Sequence, residues 1–273
     1  RLTRTGRVSS TTEMMRRNGL LEAVERAGAK LHNFDDQGWR SGYRAVDLDF
    51  ENHWAGKLHV AAILARVDHV VVLSRLGAHA LAGYTAGIKN AVGWTRDDSR
   101  GFLHQKGGAF FEKMAEINHA QPLRSKIRLA VTLGRQALLE VGPDMGGTFD
   151  FRSAMAFAST NLVDHDAFAS ALLDYVEKQA VSIFSGYSPY PEHSDFWNRG
   201  FVEDMWGEQM AADYEPMVTY PQRLGIAYDT CLSHLAMLQN YRPERIVVKA
   251  SPTILDPELR GHLRGWGQGL LQV

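Results

Sequence analysis

His69-Val70-Val71-Val72-Leu73-Ser74 is the stretch whose reading decides the fold. It is short and rich in β-branched residues, so it reads as a buried parallel strand. The chain then enters Gly77-Ala78-His79-Ala80-Leu81-Ala82-Gly83-Tyr84-Thr85-Ala86-Gly87-Ile88-Lys89-Asn90-Ala91-Val92-Gly93, a loop of small residues bracketed by His79 and Lys89. Open α/β sheets hold their ligands where a strand spills into such a loop.

Downstream of the loop, Thr85 to Val92 reads as the start of a helix, Asp97-Asp98-Ser99-Arg100-Gly101 as a polar turn, and Phe110 to Ile117 as a second helix. Ile127 to Leu133 is apolar enough for another central strand, Asp166 to Val176 has helical spacing, and Arg245 to Lys249 makes a late strand. Upstream, Ser9-Ser10-Thr11-Thr12-Glu13 has the character of a helix cap. Met14, Leu20, Leu21, Val24 and Ala27 then recur at helical spacing up to Gly28. Leu31 and Phe34 suggest a short strand, and Val46, Leu48 and Phe50 alternate with acids as a half-exposed one. Strands alternating with helices indicate an α/β fold, a mainly parallel sheet flanked by helices. Residues 1–180 form its core, and 181–273 pack on that core as an aromatic-rich segment with a late strand. Tyr187, Tyr190, Phe196, Trp197, Phe201 and Trp206 make the first part of that segment an insertion or lid, for internal packing or for contact with a substrate.

The bulk composition narrows the function classes. The 273 residues are 45% apolar and 22% charged, with 30 basic against 31 acidic side chains and a net charge of −1. No global field exists to hold nucleic acid, so any anion site is local. A single cysteine, Cys231, excludes an internal disulfide and an iron–sulfur cluster bound by this chain, and it reads as a small core residue. No apolar run is long enough for a transmembrane segment. The first residue is not Met, which reads as a trimmed or mid-chain start. The cytoplasm is the default compartment, with export open.

Three groups of residues could carry chemistry. In the loop, Gly83 and Gly87 allow close backbone approach, and the free amides of the following helix would favour an anion. Thr85 and Asn90 would add ligand contacts, and Lys89 a point charge or an amine. The glycine spacing matches neither the dinucleotide fingerprint nor the Walker pattern, so a plain strand-to-helix turn stays open. Among the histidines, His69, His79 and His104 follow the same strand; each is either a structural histidine or an acid–base or metal ligand, since no pair has zinc-helix spacing. Asp164-His165-Asp166 is either a further site or a helix N-terminus rich in acids. In Gly142-Pro143-Asp144-Met145-Gly146-Gly147, Asp144 would close one wall of a pocket, unless the segment is a plain turn.

These residues resemble the domain-of-unknown-function 362 family. The resemblance rests on Asp68 to Leu73, His79, Gly83-Tyr84-Thr85-Ala86-Gly87-Ile88-Lys89-Asn90-Ala91-Val92-Gly93, His104, Gly142-Pro143 with Gly146, and Ala158-Ser159-Thr160-Asn161 leading to Asp166. It runs in order from about Thr11 to about Val176, with Thr85, Lys89, Asn90 and Gly93 its most specific part. The family often has lysines before the histidine, where this chain has Arg75 and Gly77, and an aspartate where it has Asn161. A shorter stretch, His79, Gly83, Thr85, Gly87, Lys89 and His104, is similar to the nickel-pincer lactate racemases, which have a His, a glycine-rich stretch, a Lys and a later His in that order. That similarity implies that Lys89 holds a cofactor, His104 binds a divalent metal such as nickel, and His79 moves protons. The expectation is therefore an enzyme acting on a small anionic molecule. His79 and Lys89 are its catalytic residues, Gly83, Thr85, Gly87, Asn90 and Asp144 its ligand contacts, and His104 its metal ligand. A non-catalytic metal- or ligand-binding protein is the alternative.

Overall fold

The computed structural model describes residues 10–79, 81–121, 123–139, 147–183, 194–216, 228–242, 244–250, 255–266 and 271–272. The first described elements are α1 (Thr11–Arg17) and α2 (Leu20–Arg26). Ser10 caps α1, its Oγ accepting from the Glu13 amide at 3.1 Å, as the hydroxyl-rich sequence requires. The apolar spacing from Met14 to Ala27 is not one helix, however. Gly19 stands at φ +77° and breaks it, a conformation open to glycine. Neither helix buries a residue, and Met14 is 50% exposed.

Leu31 forms no strand and is exposed; a 3₁₀ turn follows at Asp35–Gln37. The expected strand over Val46 to Phe50 is displaced to β1 (Tyr43–Ala45), which pairs antiparallel with β2 (His59–Ala61). The Val46 amide still bonds the Leu58 carbonyl, and beyond it the alternating residues pack as coil.

The main sheet is built on one long strand. After β3 (Val70–Ser74), β4 (Gly77–His79) and β5 (Gly83–Thr85) come α3 (Gly87–Asn90), a 3₁₀ turn, α4 (Asp97–Gln105) and α5 (Phe110–His119). The chain returns as β6 (Ile127–Leu138) and β7 (Thr148–Ser159). β3 runs parallel to β6 from Val70↔Ile127 to Ser74↔Thr132, and β4 joins the same edge at Gly77↔Leu138. β7 lies antiparallel on the other edge, and β5 folds back antiparallel on β4. A parallel return needs a crossover, and α3 to α5 supply it. The α/β architecture expected from the strand–helix alternation is thus present.

Two local expectations give way. The small-residue loop contains the β4–β5 hairpin, and Asp97 to Gly101 opens α4 instead of turning. Both Asp97 and Asp98 sit in the first helical turn, where acids complement the free amides. β3 is buried on one face only. Val72, Ala130 and Thr132 point to the side covered by α3 and by α6 (Leu162–Ile183), whereas Val71, Leu73 and Leu133 on the opposite face are exposed.

The remaining described elements are α7 (Ser194–Trp206), α8 (Glu208–Ala212), a π-helical turn (Tyr228–Leu232), α9 (Ser233–Leu238), β8 (Ile246–Val247), α10 (Pro257–Gly265) and β9 (Leu271–Gln272). The late strand is β8, paired parallel with β9. α7 packs on α4, α9 on α5 and α10 on α6. Cys231 is a buried free thiol; burial, then the charges of Asp166 and Glu112, pushes it well above the ordinary thiol value, so it is an inert core group. No helix among the described residues is long and apolar enough to cross a membrane.

Candidate active site at the strand-to-helix loop

The hairpin and α3 are held from below by one carboxylate. Asp166, in the first part of α6, is fully buried. Its Oδ1 accepts the Gly87 amide at 2.9 Å, and its Oδ2 accepts the Ile88 amide at 2.9 Å and the Tyr84 hydroxyl at 3.1 Å. The His165 ring stands 2.7 Å from the same Oδ1 through Nδ1, and 3.1 Å from Thr132 Oγ1 through Nε2. Thr132 in turn meets Ser74 Oγ at 2.6 Å. A continuous polar chain therefore runs from the end of β3 through β6 and α6 to the start of α3. A Cβ on Gly87 would stand 2.8 Å from Asp166 Oδ1 and 3.0 Å from His165 Nδ1, so only glycine admits this approach.

The expected anion site at the first amides of α3 is therefore already filled, and the anion is the chain's own Asp166. Asp164-His165-Asp166 opens α6, but the cap is Asn161, whose Oδ1 accepts the Val163 amide at 2.7 Å. A cap needs only a short side-chain acceptor, and Asn supplies it as well as Asp. Asp164 instead accepts from the Tyr241 hydroxyl at 2.7 Å.

His79 ends β4 and is buried. Its Nδ1 accepts from the amides of Leu81 and Ala82 at 3.1 and 3.2 Å. Backbone amides only donate, so the ring proton resides on Nε2. His104, buried in α4, has the opposite tautomer: its Nδ1 lies 2.7 Å from the Arg100 carbonyl, which only accepts. Nε2 of His104 thus keeps its lone pair. Phe110, Phe201 and Trp206 surround that ring, with centroids 5.4, 5.0 and 5.5 Å away.

Burial drives both imidazoles toward the neutral form, and neighbouring cations add to it. His79 is held well below its ordinary value by burial, then by the charges of Lys89 and His104. His104 is pushed down to about 3 by burial, then by Lys89 and Lys113. Lys89 is thus the common electrostatic neighbour of both histidines. Lys113 is buried in α5 and is itself pushed down to about 8, mainly by burial; its ammonium donates to the Lys106 carbonyl and stands 4.7 Å over the Phe102 ring.

The other expected contacts are scattered around this group. Gly83, at φ +74°, pairs with His79 across the hairpin, and Thr85 pairs with Gly77. Asn90 donates its amide to the Leu73 carbonyl at 2.7 Å and so ties α3 to the end of β3. Asp144 lies outside the described residues, as do Tyr187 and Tyr190 of the aromatic segment. Of that segment, Phe201 and Trp206 on α7 reach His104. His69, just before β3, accepts from Arg128 Nε at 3.5 Å. Among the described residues, two cavities are lined by neither His79, Lys89 nor His104. One is bordered by Phe157, Asp164, Phe168, Lys249 and Leu259, the other by Asn118, His119, Arg124, Asn161 and Tyr241.

Two features escaped the sequence reading. The anchoring role of Asp166 depends on contacts 79 residues apart. A second cluster, His53, Glu116 and His234, joins residues 63 and 118 positions apart, so no spacing motif announces it. Among the described residues, that cluster, and not one containing His104, brings three metal-capable side chains together.

No curated protein and no solved structure gives a significant match to this chain. A family description does: "Domain of unknown function (DUF362)" matches residues 3–171, the span that carries the hairpin, the crossover helices, β6, β7 and the start of α6. The chain belongs to the domain-of-unknown-function 362 family.

Proposed function

We propose that the chain is an enzyme acting on a small anionic molecule, with the chemistry at His79, Lys89 and His104. The observation that carries this reading is the pair of opposite tautomers. His79 presents an N–H at Nε2 and His104 a lone pair at Nε2, each fixed by a backbone group. One imidazole is thereby set to donate a hydrogen bond to a substrate oxygen and the other to take a proton. Lys89 supplies the positive charge that both rings sense. Because Asp166 takes the first amides of α3, the anion falls to Lys89 and not to the helix terminus. A bound anion would also raise both depressed imidazoles, bringing them closer to the range where protons exchange near neutral pH.

The test is isothermal titration of the full chain with inorganic phosphate, acetate, lactate and malonate. At least one anion is expected to bind, and Lys89→Met to weaken it by about tenfold, or roughly 1.4 kcal/mol. His79→Gln should preserve folding and weaken binding less, because it keeps a donor. Absence of binding by all four probes, or equal affinity in Lys89→Met, overturns the proposal.

A further inference from the structure

We propose that His53, Glu116 and His234 form a binding site for one divalent first-row transition ion, with zinc as its best representative. The site is separate from the group around His79. It uses the chain before Trp54, the middle of α5 and the start of α9.

Glu116 is its centre. The side chain is fully buried, and its Oε1 lies 2.6 Å from His53 Nδ1 and 3.1 Å from His234 Nε2. The other oxygen, Oε2, accepts the His53 backbone amide at 3.1 Å. That bond turns Oε1 toward the two rings, which is how an outer-sphere contact orients a metal-binding carboxylate. The rings stand edge-on, with centroids 5.9 Å apart. All three ligand atoms lie within 4.8 Å of one another. Bond lengths of about 2.0–2.1 Å in tetrahedral geometry place ligand atoms roughly 3.3 Å apart. The cluster is therefore within a small side-chain adjustment of that arrangement.

The frame around it is well packed. Trp54, next to His53, is fully buried and donates from Nε1 to the Lys113 carbonyl at 3.2 Å. His53 is thereby pinned to the helix that carries Glu116. α9 packs on the same helix and presents His234. The His53 side chain is 44% exposed, which leaves the ion an entrance and room for water as a further ligand.

The donor set selects the ion. Two imidazole nitrogens and one carboxylate oxygen suit zinc, iron, nickel or cobalt, whereas magnesium and calcium take oxygen ligands. Neutral imidazoles can bind without net proton loss. The ring proton of His53 moves to Nε2 and that of His234 to Nδ1, freeing the two nitrogens that now converge on Glu116.

The test uses the full chain, stripped with chelator, desalted and titrated with zinc against a chromophoric competitor. Bound metal is then counted by elemental analysis. About one zinc per chain is expected. His53→Ala and His234→Ala should weaken it on the order of 100-fold or more, beyond the roughly 10- to 100-fold typical of outer-sphere losses. His104→Ala should bind as the parent does. Circular dichroism checks each variant's fold; if His234→Ala does not fold, the half-exposed His53→Ala decides alone. Absence of zinc binding in the parent, or parent-like binding in His53→Ala, overturns the proposal. Loss confined to His104→Ala also overturns it and moves the ion to the group around His104 on α4.

Discussion

Asp166→Ala is expected to lower the free energy of unfolding by about 4 kcal/mol or more, because several buried donors lose their one acceptor together. Asp166 receives the amides of Gly87 and Ile88, the Tyr84 hydroxyl and a close contact from His165. Alanine would strand these buried groups, at about 1–3 kcal/mol for each left without a partner. Asp166→Asn should cost less, since one oxygen remains, but its amide nitrogen must then face a donor. Gly87→Ala pushes on the same contacts from the other side and should cost about 1–3 kcal/mol by overpacking. Urea denaturation of the three variants measures the order. Against a total of roughly 5–15 kcal/mol, the Ala variant should sit near the edge of folding. A loss below about 1 kcal/mol in Asp166→Ala would show that the carboxylate does not hold the hairpin to α6.

The second large effect is acid sensitivity. In the unfolded chain His79 and His104 accept a proton near pH 6.5. In the fold His104 does so only at about 3 and His79 well below its ordinary value, in both cases chiefly because of burial. Between those limits the unfolded chain binds more protons than the folded one. The stabilisation is therefore fully present above pH 6.5 and is lost as the pH falls toward 3. At about 1.4 kcal/mol per pH unit, His104 alone costs nearly 3 kcal/mol by about pH 4.5. Urea midpoints taken from pH 7 to 4.5 should fall steeply in the parent and less so in His104→Phe, which keeps a ring among Phe110, Phe201 and Trp206. An acid limb equally steep in that variant would remove His104 as its source.

The frame of the fold was legible where the local pattern and the tertiary requirement coincide. Val70 to Leu73 and Ile127 to Leu133 pair in a parallel ladder, and the aromatic and aliphatic anchors of Phe110 to Ile117 fall on α5, which is buried along nearly its whole length. Ser10 caps a helix as its chemistry demands. The pattern misled where burial does not follow it. Met14 and Leu20 have helical spacing yet face solvent, and Asp97-Asp98-Ser99 has turn composition yet opens a helix. At the proposed site, His79, Lys89 and His104 were visible because they cluster near the loop in sequence. Asp166 was visible only within Asp164-His165-Asp166; its anchoring role and the His53–Glu116–His234 group were not, because only docking of α6 and α9 brings their partners together.

The contact between Gly87 and Asp166 also bears on how the molecule opens. Glycine-rich loops ordinarily belong to the least stable parts of a protein and exchange their amide hydrogens through small local fluctuations. α3 is only four residues long and cannot persist alone. Its first amides point to a carboxylate 79 positions later in the chain, inside the core. Releasing them means undocking α6. The Gly87 and Ile88 amides should therefore exchange with the slowest hydrogens of β6, and rapid exchange at both would contradict this. The hairpin that carries His79 then belongs to the same cooperative unit as the central sheet, and its geometry is held with the stability of the whole fold.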